Sequence, residues 1–256
     1  METDIFQKIE NSSKPDFSDI LSRSFDLFKR VWETALYHAL ILMAVVIPFI
    51  IVVYAPVIIM MGYSGRYNSY GYYEQVEPSV LWIILYSIVV FALIFVIQGI
   101  SLGIIAHFFR ALKKEDTGSN EDIGGYFVYL KGENLTKVLV ISLATFVISF
   151  AAVLLCYLPI FYVMVPLHLI QVIFAFNDKL SVSDLIKASF KLGNKYWLIA
   201  FGLIILSSMI AQIGILLCFV GVILTAFFVH IPMYYFYKDT IGFNDEIGGP
   251  DLDILN

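Results

Sequence analysis

Histidine is the residue type in this chain whose positions most readily predict chemistry. The four histidines are His38, His107, His168 and His230, and they fall in different predicted helices. We count residues from the charged end of each predicted helix and convert them to distance with the helical rise of ~1.5 Å per residue. All four histidines then lie at a similar depth, roughly 4–12 Å from the membrane interface on that side. Imidazoles that converge at one depth could hold iron or zinc, so these residues are candidate metal ligands.

A simpler alternative is that each imidazole hydrogen-bonds a backbone carbonyl. Pro166 and Pro232 favour it, because a proline leaves the carbonyl four residues earlier without its helical donor, and His168 and His230 lie close by. The chain has no H-x3-H or H-x2-H-H spacing, and its apolar stretches have no carboxylate to orient a ligand. We therefore expect structural histidines and no resident cofactor.

Other polar side chains in the apolar stretches allow two interpretations. A narrow polar path or ordinary hydrogen bonding between helices would each explain Gln98, Gln171, Gln212, Ser207 and Ser208. Gly99 and Gly103 permit close helix contact, either within the chain or between copies. Cys156 and Cys218 could form a bridge in an oxidising compartment or remain buried thiols.

Long charge-free runs are the elements that position these side chains. The chain is 60% hydrophobic and 14% charged, with a mean hydropathy of +0.85, outside the range of soluble domains. A membrane crossing needs ~20 apolar residues. Residues 34–65 and 78–109 each fit one helix, and residues 138–177 and 196–237 each fit a hairpin. We predict an all-α polytopic membrane protein, one transmembrane domain over residues 1–256, with six transmembrane helices as three hairpins at about 34–60, 80–109, 138–156, 159–176, 196–216 and 219–237.

The distribution of cations predicts the topology. Of the 16 Lys and Arg residues, only Arg66 lies outside four polar segments that would share one side of the membrane. By the positive-inside rule both termini are cytoplasmic, in a bacterial inner membrane. The predicted spans contain no Asp, Glu, Lys or Arg, which argues against ion-coupled transport. The net charge of −5 gives nucleic-acid binding no support.

Two segments of the chain resemble each other. Residues 17–32 and 182–197 align without a gap and share Ser, Asp, Ser, Phe, Leu and Trp at equivalent positions. Asp16 and Ser181 can cap them. Their apolar and basic faces predict amphipathic interfacial helices on the cytoplasmic side at 17–32 and 181–195, with a fainter third at 121–134. The alternative is a plain extension of the spanning helix. Candidates for contact with lipid headgroups are Lys29, Arg30, Trp32, Lys191, Lys195 and Trp197.

These motifs also carry a resemblance to a known family. An S-D-[IL]-x3-S-F-x-L-x4-W segment at 18–32, and a hairpin that closes with C-F-V-G at 218–221, are similar to a bacterial family of six-span integral membrane proteins of uncharacterised function. That family resembles the membrane domain of glycerophosphodiester phosphodiesterases. The resemblance implies a six-helix fold and no catalytic residues, and the chain has no soluble hydrolase domain.

Taken together, these patterns predict a non-catalytic integral inner-membrane protein: a scaffold, accessory or lipid-interacting subunit. A small-solute or lipid transporter is the first alternative, and a His-coordinated metal oxidoreductase acting on a membrane-soluble substrate is the second. Membrane lipids are the expected partners, and no nucleic acid is. Other membrane or periplasmic proteins could bind the tyrosine-rich loop 62–78 or the acidic C-terminal tail.

Overall fold

The computed structural model describes residues 2–64, 78–155, 158–217 and 220–243. In these ranges the chain is helical and contains no strand, which confirms the predicted all-α class. The elements are α1 (Glu2–Asn11), α2 (Phe17–Ser64), α3 (Val80–Thr117), a 3-10 turn (Val128–Leu130), α4 (Gly132–Leu154), α5 (Leu158–Phe176), α6 (Val182–Lys195), α7 (Trp197–Ile213), a 3-10 turn (Gly214–Leu217), α8 (Val220–Thr225), a 3-10 turn (Ala226–Val229) and α9 (His230–Thr240).

The helices indicate a multi-pass membrane protein. Four of them, α2 to α5, are long and apolar enough to cross a membrane, and α6 with α7 would make a fifth crossing with a 94° bend. The sixth predicted span, 219–237, is not one helix in the part of it that is described, because α8 and α9 are separated by a 3-10 turn. Pro232 lies just after that turn and has no N–H for the carbonyl of Phe228, which weakens a continuous helix there.

The two similar segments fold differently. Both caps are present: the Asp16 carboxylate accepts from the Asp19 N–H at 2.8 Å, and the Ser181 hydroxyl accepts from the Asp184 N–H at 3.1 Å. However, residues 17–32 are the first turns of the continuous 48-residue helix α2, not a separate interfacial helix. The second segment ends where Gly193 and Asn194, which are weak helix formers, precede the bend at Tyr196.

No single helix extends over residues 121–134, where a third interfacial helix was expected. A 3-10 turn occupies Val128–Leu130 and α4 begins at Gly132. Gly124 and Gly132 have φ of +72° and +57°, a left-handed conformation that interrupts any regular helix. Two predictions lie outside the described residues. They are the partner-binding segments, of which residues 65–77 and 244–256 are not described, and the possible bridge between Cys156 and Cys218.

Neighbouring helices pack in antiparallel pairs. On α2 and α3, contacts join His38 to His107 at one end, and Tyr86 to the Val53 carbonyl at the other. Helix α6 returns along α5, since it follows directly from residue 177 and brings Gly193 against Pro166. The N-terminal part of α2 packs on α9, where Arg23 pairs with Asp239.

The two ends of the bundle differ in composition. We call residues 17–39, 98–117, 163–195 and 226–243 the charged end, and residues 40–60, 80–97 and 143–161 the apolar end. The largest fully buried side chains concentrate at the charged end and include Phe108, Phe109, Phe174, Tyr234 and Phe236. At the apolar end, the most hydrophobic windows of α2 and α3 are 0% buried within the chain.

Candidate functional site

His38 and His107 form a buried pair between α2 and α3. The two residues are 1% and 4% exposed, and His38 Nε2 lies 2.8 Å from His107 Nδ1. The other nitrogen of His38 lies 2.6 Å from the Thr34 carbonyl, and that of His107 lies 3.2 Å from the Gly124 carbonyl. The pair therefore links α2, α3 and the turn before α4 in one chain of contacts.

Counting protons shows how this chain is hydrogen-bonded. A carbonyl only accepts, so the Thr34 contact requires a proton on His38 Nδ1, and His107 Nδ1 must then donate to His38 Nε2. The Gly124 contact would need a third proton, but two neutral imidazoles carry two. In the neutral pair one of the three contacts therefore lacks a hydrogen, and the 3.2 Å contact to Gly124 is the longest of them.

The four-histidine metal site is not formed in the described part of the chain. No group of three or more His, Cys, Asp or Glu residues there could hold a metal ion. His168 donates from Nδ1 to the carbonyl of Met164 at 2.9 Å, and His230 packs against Phe109 and Phe227. His38 and His168 therefore fit the simpler alternative, in which an imidazole hydrogen-bonds a backbone carbonyl. Sequence analysis did not anticipate the direct bond between His38 and His107.

A cavity of about 230 Å³, lined by both apolar and polar side chains, lies among α3, α4 and α5. Ser142 and Thr145 form a buried floor, and the polar residues at its partly exposed rim are Gln98, Ser101, His168 and Gln171. Gln98 Nε2 donates to Thr145 Oγ1 at 2.6 Å. Of the residues expected along a polar path, Gln98 and Gln171 are thus brought together.

The other members of that expected path do not line this cavity. The Ser207 and Ser208 hydroxyls donate to carbonyls of their own helix, at 2.6 Å to Leu203 and 2.7 Å to Ile204. Gln212 is exposed near the end of α7. By contrast, Ser142 Oγ and Gln171 Oε1 are buried and have no hydrogen-bond partner among the described residues.

Gly99 and Gly103 allow the helices around the cavity to approach each other. A Cβ on Gly99 would lie 3.4 Å from Ser142 Oγ, and one on Gly103 would lie 2.9 Å from a methyl group of Leu130. Both glycines therefore contact other parts of the same chain, which resolves the alternative left open by the sequence.

Asp116 is the centre of a charged cluster at the end of α3. Its carboxylate accepts from Tyr234 at 2.9 Å, from Tyr235 at 2.8 Å and from Lys238 at 2.8 Å, and Arg30 lies 3.7 Å away. These donors stabilise the ionised carboxylate despite its side chain being only 9% exposed. The cluster ties α2, α3 and α9 together, and no sequence motif indicated it.

A second cluster fixes the C-terminal end of α5. Arg110 donates to the Ala175 carbonyl at 3.1 Å and pairs with Asp178 at 3.2 Å, and the Tyr129 hydroxyl donates to the same carbonyl at 3.1 Å. Burial raises the pKa of the Tyr129 hydroxyl, so it remains a donor across the physiological range. Together these groups satisfy a carbonyl that a helix end leaves without a partner.

Most of the predicted lipid-interface residues have protein partners. Lys195 donates to the carbonyls of Ile9, Glu10 and Ser12 at 2.7–2.9 Å and so caps α1, while Lys191 pairs with Glu10 at 3.3 Å. Trp197 Nε1 donates to the Tyr162 carbonyl. Arg30 faces Asp116, as described above. Lys29 pairs with Asp26 on its own helix at 2.9 Å and has 74% of its side chain accessible, and Trp32 is 45% exposed.

No protein-family model, no curated protein and no solved structure matches this chain. The family resemblance carried by its motifs therefore stays a prediction.

Proposed function

We propose that this chain is a non-catalytic, multi-pass membrane protein that interacts with lipid through the exposed face of α2. One observation carries the proposal: a single stripe along this helix changes from cationic to aromatic to aliphatic. Its residues are Lys29, Trp32, Tyr37, Leu40, Met43, Ile47 and Ile50, which at ~100° of rotation per residue lie within about 140° of the helix circumference.

This order of residues matches the layers of a bilayer leaflet. Ammonium groups bind anionic headgroups, indole and phenol rings favour the interface, and aliphatic side chains favour hydrocarbon. An inner-membrane location with cytoplasmic termini, and a place among six-span proteins resembling the phosphodiesterase membrane domain, are part of the same proposal. We propose a scaffold or accessory role, because neither lipid contact nor an ion-paired cytoplasmic face requires the protein to catalyse a reaction.

Lipid retention tests the proposal. The protein is reconstituted in nanodiscs of phosphatidylcholine with phosphatidylglycerol, and the phosphatidylglycerol that stays bound after extraction is measured by mass spectrometry. A basic residue near an anionic surface contributes about 1 kcal/mol, so Lys29→Gln should weaken retention roughly fivefold. Adding Trp32→Ala should weaken it further.

Lys187→Gln is the matched control. Lys187 is 66% exposed and pairs with Asp184 three residues earlier, as Lys29 pairs with Asp26, but it lies on α6. Retention should remain at the wild-type level in this variant. Equal losses in both variants would show a response to net charge alone, and unchanged retention in Lys29→Gln with Trp32→Ala would contradict the proposal.

The polar cavity favours a lipid or small-solute transporter as the second candidate. Its rim lies on helices long enough to cross the membrane, and it contains no charged side chain. Transport requires that the cavity opens alternately to the two sides. Accessibility of a cysteine at Ser101 to a membrane-impermeant thiol reagent, added from one side and then from the other, tests this. Reaction from neither side would exclude a transport path through the cavity.

A further inference from the structure

We propose that the cavity among α3, α4 and α5 binds an uncharged, hydroxyl-bearing group of a lipid, such as the free hydroxyl of a diacylglycerol. The proposal rests on the lipid contact proposed above, because the occupant would arrive from the bilayer. It adds a binding site, its depth in the membrane and the chemical class of the bound lipid group.

The polar atoms of the cavity call for a ligand that donates hydrogen bonds. Gln171 Oε1 is an acceptor without a partner, and Ser142 Oγ is also unpaired. The Nδ1 proton of His168 is used by the Met164 carbonyl, so neutral His168 presents Nε2 as a further acceptor. One N–H of the Gln98 amide is used by Thr145, and its second N–H remains a donor. The lining thus offers both acceptors and donors, which favours a hydroxyl, able to donate and accept, over an ester or ether, which only accepts.

Position and charge narrow the class further. Gln98 lies twelve residues before Arg110 on α3, and Gln171 lies seven before Asp178, which places them roughly 18 Å and 10 Å from those charges. A donor from the occupant would pair the buried acceptor and remove the cost of an unsatisfied polar atom at that depth. With no ionic side chain in the lining, a charged occupant would have no counter-ion, so an uncharged hydroxyl fits and an ammonium does not.

Size and access agree with a lipid fragment. About 230 Å³ is less than the roughly 300–1,000 Å³ of most small-molecule sites, so the cavity suits a small polar group and not a whole lipid. Its floor, Ser142 and Thr145, is buried, whereas Gln98, Ser101 and Gln171 at the rim are partly exposed. A hydroxyl can therefore enter while its acyl chains stay in the bilayer.

Photolabelling tests the site. The protein in phosphatidylcholine nanodiscs is exposed to a diacylglycerol with a diazirine on one acyl chain, and labelled peptides are identified by mass spectrometry. We expect labels on α3, α4 and α5. The same probe acetylated at its hydroxyl, which keeps the chains but removes the donor, should label these peptides about five- to tenfold less. Equal labelling by both probes would overturn the proposal without any mutation.

Variants localise the effect. Gln171→Leu and Ser142→Ala should each lower labelling by a similar factor, whereas Ser207→Ala, a buried serine bonded within its own helix, should leave it unchanged. Free glycerol tests for a soluble ligand. If glycerol protects the wild type but not Gln171→Leu from thermal unfolding, and the lipid probe labels little, then the hydroxyl belongs to a soluble polyol. Neither labelling nor protection would mean that the cavity holds only water, and would overturn the proposal.

The failure of this inference is distinct from that of the proposed function. Lys29→Gln acts on anionic headgroups at the charged end and should not change labelling by an uncharged lipid. Loss of phosphatidylglycerol retention with intact labelling would contradict the first proposal alone. Intact retention without labelling would contradict the second alone.

Discussion

The charged end and the apolar end of the bundle share helices α2, α3 and α5 but are held together differently. At the charged end, Phe108, Phe174 and Tyr234 are fully enclosed and Asp116 and Arg110 link separate helices. At the apolar end, Ile51, Ile58 and Leu85 are more than half exposed. Apolar side chains in a bilayer need no protein cover, since lipid tails solvate them as well as leucine does. The charged end must therefore specify how the helices assemble.

The Asp116 cluster should produce the largest loss when it is broken. Asp116→Ala leaves the Lys238 ammonium and two tyrosine hydroxyls without their acceptor, which for a buried pair costs about 3–5 kcal/mol. Unfolding by SDS in mixed micelles measures the change. Asp26→Ala removes the exposed partner of Lys29 and should cost less than about 1 kcal/mol. Equal effects would show that the cluster is no more important than a surface pair.

Aromatic truncations compare the two ends directly. Phe108 is 0% exposed between His38 and Phe227, and Phe91 is 48% exposed beside Phe146. Phe108→Ala should lower the free energy of unfolding by about 3 kcal/mol because it leaves a cavity. Phe91→Ala should cost less than about 1 kcal/mol, because lipid fills the space. A larger loss at Phe91 would mean that protein, not lipid, covers the apolar end, as in an oligomer.

Lys195 connects the charged end to α1. Lys195→Met keeps the aliphatic stem but removes the ammonium that donates to the α1 carbonyls, and charge-assisted hydrogen bonds contribute about 1.5–3 kcal/mol. The expected result is local release of α1, seen as faster hydrogen exchange in residues 2–11. The helices of the bundle should retain their protection. Lys187→Met serves as the control, since the Lys187 side chain is 66% exposed and its ammonium lies 3.8 Å from Asp184 of its own helix.

The structural features that were predicted correctly depend on residues close together in the sequence. The charge-free runs located α2 to α5 and matched the start of α3 and both ends of α5 to within one residue, although α2 begins 17 residues before its predicted span and α3 ends eight residues after its own. Both Asp16 and Ser181 cap the helices expected of them. Contacts across the chain were not predictable. Asp116 meets Tyr234, and Ser142 joins Gln98 and Gln171 at one cavity, only because of how the helices pack. The continuity of α2 past Trp32 is the alternative that the sequence left open, because Glu33 to Leu36 allow helix without requiring it.

The His38–His107 bond should produce the smallest effect, because hydrogen bonds between membrane helices average about 0.6 kcal/mol in double-mutant cycles. The wild type, His38→Ala, His107→Ala and the double variant form such a cycle, with SDS unfolding as the measurement. The 2.8 Å contact predicts coupling of about that size. The matched cycle pairs His38 with His168, whose Nδ1 bonds its own helix, and should show none. Coupling between His38 and His168 as large as that between His38 and His107 would mean that the imidazoles act as one group, and would restore the case for shared chemistry.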